Sequence, residues 1–260
     1  MKQKPKLGQN FLVDPAACMA IVDALGDISR ETVVEIGPGA GAITELLALR
    51  ARRLIAIELD RDLAARLRAQ FPALEIIEAD VLTVDLNTLR REGEKLRVVG
   101  NLPYYITSGI LLRLFHFNGA IASAVIMMQR EVGDRVAATP GSRDYGLLSA
   151  TTQLYAKVER ILTLPPSAFM PPPDVHSTVL RLTMRPRFAE LGVHPETFLL
   201  FLRQSFAQKR KTLGKNLRAA GLNSARVAGA LEKASIPASA RAEELDLEHM
   251  AVLWTTLQQK

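Results

Sequence analysis

The sequence predicts an α/β protein in which helices cover both faces of a mostly parallel sheet, followed by a smaller helical part. Short apolar runs rich in β-branched residues recur at even spacing, and helix-like stretches such as 42–49 and 61–70 lie between them. Strands that alternate with helices are typical of right-handed βαβ units. The predicted strands of this first part are 32–36, 53–57, 74–77, 96–99 and 122–127.

Near residue 164 the alternation of strand and helix patterns gives way to a proline-rich stretch. Prolines occupy positions 165–166 and 171–173, and an alternating run follows at 177–183, which predicts a rigid loop and a strand that completes the sheet. No strand pattern follows Pro186, and the rest of the chain has helical patterning. We therefore expect one domain over residues 1–186 and a helical domain over 187–260.

Composition excludes several classes of protein. Of the 260 residues, 48% are hydrophobic, which excludes intrinsic disorder, and the single cysteine, Cys18, excludes a disulfide framework. No apolar run reaches the roughly 18 residues of a membrane span, and the basic N-terminus lacks the apolar core of a secretory signal. The four histidines show no metal-ligand spacing. We expect a metal-free cytoplasmic protein, and the net charge of +6 makes an anionic partner plausible, although an ordinary enzyme is equally compatible with it.

A glycine-rich turn, Gly37-Pro38-Gly39-Ala40-Gly41, follows the first predicted strand. Its spacing differs from the dinucleotide fingerprint, and it lacks the lysine of a phosphate-binding loop. Alone it could be an ordinary tight turn between a strand and a helix.

Three polar residues follow Gly37 at spacings of 21, 22 and 21 residues, namely Glu58, Asp80 and Asn101, each at the end of a predicted strand. Each alone could be a helix cap or a surface residue, but together they predict one site along the carboxyl edge of the sheet. A carboxylate at Glu58 can accept both hydroxyls of a ribose. The arrangement resembles the Rossmann-like class I S-adenosylmethionine-dependent methyltransferases, which have a seven-stranded sheet. The resemblance implies that Gly37 passes the amino-acid moiety of S-adenosylmethionine, that Glu58 holds the ribose and that Asp80 contacts the adenine amine. Asn101, at the same edge of the sheet, is also an expected cofactor-binding residue.

The segment Asn101-Leu102-Pro103-Tyr104 directly follows the fourth strand and suits methyl transfer to an exocyclic amine. Such an amine is a poor nucleophile, and acceptors aimed at its N–H groups stabilise the charge that develops on it. The Asn101 oxygen and a backbone carbonyl near Leu102 or Pro103 are candidate acceptors, and Tyr104 offers a face on which a base can stack. An Asn-Pro turn is a common structural feature, which is the alternative interpretation. The motif resembles the signature of adenine-N6 methyltransferases.

Further motifs occur at residues 9–12, 129–132, 145–149, 175–177 and 208–213, and they extend the resemblance over residues 6–250. With these motifs and the segment 101–104, the sequence is similar to the ribosomal RNA adenine dimethyltransferase family. That family implies transfer of two methyl groups to N6 of each of two adjacent adenosines near the 3′ end of 16S rRNA, in an immature 30S subunit. It also implies that Asn10 and Leu12 close over the cofactor and that Phe169 closes the base pocket, although Phe169 could instead be a buried loop anchor.

Some positions depart from the family pattern, and other functions stay open. Tyr105, Asp174 and His176 differ from the usual residues, which puts RNA contacts in doubt rather than the chemistry. Residues 203–226 contain seven Lys or Arg and no acidic residue, a candidate phosphate-binding face or simply a solvated helix face. The alternatives are a 23S rRNA adenine-N6 methyltransferase of the macrolide-resistance type and a non-catalytic ribosome-assembly factor. We expect the protein to be a monomer.

Overall fold

The computed structural model describes residues 10–103 and 106–259, and the chain divides into two units. The first comprises Met1–Gly133 and Lys157–Met184, and the second comprises Asp134–Ala156 and Arg185–Lys260. Residues 134–156 thus group with the C-terminal helices, whereas the functional domains predicted as 1–186 and 187–260 stay a prediction.

A seven-stranded sheet forms the centre of the first unit, with the strand order β4-β3-β2-β5-β6-β9-β7. The five strands from β2 to β6 pair in parallel, and β9 pairs antiparallel with β6. The prediction of a mostly parallel sheet of the class I methyltransferase type is confirmed. The strands are β2 Thr32–Ile36, β3 Arg53–Glu58, β4 Glu75–Glu78, β5 Leu96–Asn101, β6 Ile121–Gln129, β7 Ala156–Leu164 and β9 Ser177–Met184.

Helices connect these strands, and side-chain caps fix where two of them begin. Asp14 accepts hydrogen bonds from the Ala16 and Ala17 N–H groups, and Asp60 caps the helix after β3 in the same way. These caps satisfy backbone donors that have no partner within the helix. The helices are α1 Pro15–Asp23, α2 Thr44–Arg50, α3 Arg61–Gln70, α4 Thr107–His116 and α5 Arg130–Ala137, the last of which crosses into the second unit.

A two-stranded ribbon joins the N-terminal segment to the proline-rich loop. Its strands are β1 Phe11–Leu12 and β8 Phe169–Met170, paired antiparallel with Leu12 opposite Phe169. The Val13 N–H extends the pairing by donating to the Ala168 carbonyl at 2.9 Å. Segments more than 150 residues apart in sequence therefore become one element of the first unit.

The second unit is built on helices around its own apolar core. The Phe198 ring stacks on Phe201 and meets the edge of Trp254, each with centroids 6.0 Å apart. Residues 185–259 contain no strand, as the sequence predicts. Within the described ranges, no helix combines the length and the apolar character needed to cross a membrane. The helices are α6 Leu147–Tyr155, α7 Pro195–Ser205, α8 Leu213–Ala219, α9 Ser224–Lys233 and α10 Leu247–Gln258.

Adding a side chain at Gly100 tests how closely β2 and β5 approach each other. A Cβ at Gly100 would lie 2.7 Å from the Ile36 carbonyl oxygen, which is backbone and can move only if the strands separate. We expect Gly100→Ala to lower the free energy of unfolding by about 1–3 kcal/mol in urea titrations. Gly119→Ala is the matched control, because no atom lies within 4 Å of its added Cβ. Equal stability of the two variants would contradict this account of the strand pairing.

Candidate active site

A cavity of about 340 Å³ opens at the carboxyl ends of β2, β3 and β5. The strand order reverses here, because β3 and β4 lie on one side of β2 and β5 and β6 on the other. Ligands of open α/β sheets bind at such reversals, and the volume is that of a small-molecule site. Eight of the predicted site residues line the cavity: Asn10, Leu12, Gly37, Glu58, Asp80, Asn101, Leu102 and Pro103.

The glycine turn forms one wall of the cavity. Gly37 has a φ of 63°, and its N–H donates to the Ile57 carbonyl at 2.9 Å, which ties the turn to β3. Gly39, with a φ of 58°, lies under the Phe11 ring, and a Cβ there would approach the ring to 3.0 Å. The absence of side chains therefore lets the N-terminal segment and the turn close on each other.

Glu58 is the last residue of β3 and is only 4% exposed. Its Oε2 accepts from the Gly39 N–H at 3.1 Å and its Oε1 from the Asp60 N–H at 2.9 Å. The carboxylate thus holds the glycine turn and the start of α3 together. Each oxygen keeps a second acceptor site, so that a ribose can still be bound.

Asp80 lies two residues beyond the end of β4, not at its last residue as expected, because β4 ends at Glu78. Its Oδ1 accepts from the Leu82 N–H at 2.9 Å, which closes a local turn. The side chain is half-buried and lines the cavity next to Glu58, where a carboxylate can accept from an amine.

Asn101 is the last residue of β5 and lies opposite Met127 of β6. Its Nδ2 donates to the Asn10 carbonyl at 3.2 Å, which leaves the amide oxygen as the available acceptor. The Pro103 carbonyl already accepts from the Ile106 N–H and the Thr107 hydroxyl, both at 3.2 Å. Of the two carbonyls that the sequence left open, the Leu102 carbonyl is therefore the better candidate. Tyr104 lies outside the described residues, as does Tyr105.

Phe169 does not line the cavity with the other predicted residues. It is 2% exposed, pairs with Leu12 in the ribbon and belongs to the apolar core of the first unit. The burial of Phe169 agrees with its alternative interpretation as a buried loop anchor. Contact between Phe169 and a substrate base stays a prediction.

Glu35 is a site residue that the sequence reasoning missed. It is 1% exposed, lines the cavity, and its Oε2 accepts from the Thr44 hydroxyl at 2.8 Å. Burial raises the pKa of Glu35 to about 8, the Thr44 hydrogen bond opposes this shift and the nearby Glu58 charge adds to it. The available signal was a single carboxylate within the buried strand that leads into the glycine turn.

Metal-ligating side chains do not gather at this cavity. Among residues 10–103 and 106–259, no three His, Cys, Asp or Glu side chains lie close enough together to hold an ion. The expectation of a metal-free site stays a prediction.

The pKa of Glu35 predicts a pH-dependent stability. Because this pKa rises from 4.5 to about 8 on folding, the stabilisation by the protonated group is complete below pH 4.5 and is lost as pH rises through about 8. Glu35→Gln, which cannot ionise, should gain on the order of 1–4 kcal/mol relative to the parent between pH 5 and pH 8.5. Urea unfolding at both pH values measures this. Glu45→Gln, at an exposed position of α2, is the control, and the same pH dependence in all three proteins would contradict the assignment.

Comparisons with known proteins identify the family to which the chain belongs. A family model described as ribosomal RNA adenine dimethylase matches residues 1–259. Ribosomal RNA small subunit methyltransferase A of Acidobacterium capsulatum is 65% identical over 262 residues, which cover 100% of this chain and 93% of that protein. A dimethyladenosine transferase structure from Plasmodium falciparum shares the fold, with a TM-score of 0.80 at 24% identity over 95% of this chain and 97% of its own. The structure of the 23S rRNA methyltransferase ErmE gives a TM-score of 0.73 at 27% identity over 96% and 100%. The chain therefore belongs to the ribosomal RNA adenine dimethylase family.

Proposed function

We propose that this protein dimethylates N6 of two adjacent adenosines near the 3′ end of 16S rRNA during maturation of the small ribosomal subunit, with S-adenosylmethionine as methyl donor. One observation carries the proposal: the Asn101 amide and the Leu102–Pro103 turn lie at the same cavity as Glu58 and Gly37. A site for a nucleoside cofactor and acceptors for an amine thus meet at one sheet edge.

The residues of the cavity fit the cofactor. Glu58 would accept from the ribose hydroxyls, Asp80 from the adenine amine, and Gly37 leaves room for the amino-acid moiety beside the Asn101 carbonyl, 3.9 Å from where a Cβ would lie. Asn10 and Leu12 would cover the cofactor from the N-terminal segment. The acidic lining favours a cation, and when bound S-adenosylmethionine supplies an electrophilic methyl group.

The chain's own groups prepare the adenosine amine for attack. The Asn101 oxygen and the Leu102 carbonyl would accept from its two N–H groups, which favours a pyramidal nitrogen and stabilises the developing positive charge. The nitrogen can lose its proton after it is alkylated, so no general base is required beforehand. Holding the amine in line with the methyl group is the larger part of the catalysis. Tyr104 would stack on the base, and Phe169 would bound the base pocket from the ribbon side.

Two features favour 16S rRNA as the substrate, namely the name of a highly similar protein and the basic residues of the second unit. The relative at 65% identity is named as a small-subunit enzyme, whereas the 23S rRNA enzyme has the same fold at much lower identity. In the second unit, the Lys209 ammonium group donates to the Arg143 backbone carbonyl at 2.6 Å, so residues 143 and 209 are neighbours. With the other basic residues of 203–226 they would neutralise RNA phosphates. The protein would act as a monomer in the cytoplasm on an immature 30S particle.

The Asn101 variant tests the chemistry. Asn101→Ala should bind S-adenosylmethionine with unchanged affinity by calorimetry but lose about 10²–10³-fold in kcat, because one acceptor for the amine is removed. Asn87→Ala, an exposed asparagine outside the cavity, should match the parent in both measurements. Parental turnover by Asn101→Ala would overturn the mechanism.

The substrate is tested with ribosomal particles that lack the modification. We expect labelled methyl groups from the cofactor to enter undermethylated 30S particles, and nucleoside mass spectrometry with mapping to find N6-dimethyladenosine at two adjacent 16S positions. Modification of 23S rRNA alone would support the macrolide-resistance type instead. Specific particle binding without any methyl transfer would support the assembly-factor alternative.

A further inference from the structure

The Asn101 side chain has two chemically different ends, and only one of them suits the proposed reaction. Its oxygen accepts hydrogen bonds, whereas its Nδ2 group donates them. An adenosine amine presents N–H donors, so an Nδ2 group turned toward it would place donor against donor. If the amide rotates by 180°, Asn101 no longer accepts a hydrogen bond from the amine and instead places a donor against it.

The structure shows which group decides the orientation. Asn101 Nδ2 donates to the Asn10 backbone carbonyl at 3.2 Å. A carbonyl can only accept, so this contact is possible in one of the two orientations alone. In that orientation the oxygen is the end left for a substrate. Asn101 itself is otherwise fixed through the backbone, where β5 pairs with β6, and this pairing does not choose between the amide orientations.

The position of the Asn10 carbonyl depends in turn on the closed N-terminal segment, residues 10–13. Phe11 packs on Gly39, close enough that a Cβ there would lie 3.0 Å from the ring. Phe11 and Leu12 pair with β8, and the Val13 N–H donates to the Ala168 carbonyl at 2.9 Å. The glycine turn and the proline-rich loop thus hold the carbonyl opposite Asn101.

We propose that Asn10 is a positioning residue, whose backbone carbonyl selects the orientation of the Asn101 amide that presents oxygen to the substrate amine. Closure of the N-terminal segment then prepares the acceptor for methyl transfer as well as covering the cofactor. The effect on turnover rests on the proposed function, whereas the Asn10–Asn101 contact does not. Loss of one such hydrogen bond should reduce the productive orientation by about two- to tenfold.

Phe11→Ala tests the proposal, because it removes the packing on Gly39 and leaves Asn101 intact. At saturating S-adenosylmethionine, its kcat should fall about two- to tenfold. In an Asn101→Ala background the same change should lower kcat no further, because no amide remains to be oriented. Val13→Ala is the matched control, since this side chain is 53% exposed and does not line the cavity. An equal loss of kcat in both backgrounds would overturn the proposal.

A spectroscopic measurement reports on the contact without any activity. In full-length protein labelled with ¹⁵N-asparagine and saturated with S-adenosylhomocysteine, the Asn101 side-chain NH₂ signals are identified by their loss in Asn101→Ala. They should exchange slowly with solvent in the parent and in Val13→Ala, and faster in Phe11→Ala. Unchanged exchange in Phe11→Ala would overturn the role of the segment. Slow exchange in the parent without any RNA methylation would instead refute the proposed function and leave the contact standing.

Discussion

The close pairing of β2 with β5 is the constraint on which the site depends. These strands meet where the strand order reverses, and Gly100 lets the Ile36 backbone approach to a distance that no Cβ would allow. The glycine turn leaves the end of β2, and Asn101 ends β5, so the pairing of the two strands places the turn and Asn101 side by side. Backbone pairing thus brings together the glycine turn and the strand end that carries the proposed amine acceptor.

Two carboxyl groups support this edge in different ways. Glu58 accepts from two backbone N–H groups, which organises the turn and the start of α3. Glu35 has one hydroxyl partner and is fully enclosed, and its raised pKa keeps it mostly protonated at neutral pH. A cationic ligand would favour its ionised form, because the positive charge compensates the loss of solvation.

The sequence predicted most of the sheet and the polar residues at strand ends, because buried parallel strands are continuous apolar runs that end abruptly. β7 was not assigned, since Lys157, Glu159 and Arg160 interrupt its pattern, as is common in an edge strand. Glu35 was missed because it lies within a strand rather than after one. The Asn10–Asn101 contact joins positions 91 apart, and no periodicity in the sequence reports on such a contact. The sequence left two interpretations of Phe169 open, because its pairing with Leu12 joins segments that are far apart in the chain.

The residues expected to carry out methyl transfer are separate from those expected to select the RNA. A 23S rRNA enzyme shares the architecture over 96% of this chain, so the elements that form the cavity cannot by themselves distinguish the two RNAs. The adenosine amine is the same chemical group in both RNAs. Enzymes that act on different RNAs can therefore use the same acceptors for the amine and differ in the surfaces that meet the RNA backbone. Under the proposed function, the basic stretch of the second unit would add salt-dependent but sequence-independent affinity, and the choice of target would come from the surfaces outside the cavity that meet the folded RNA. Asp174 and His176 lie between the last proline of the loop and β9, apart from Glu58 and Asn101 in the sequence, and their effect on RNA contacts stays a prediction.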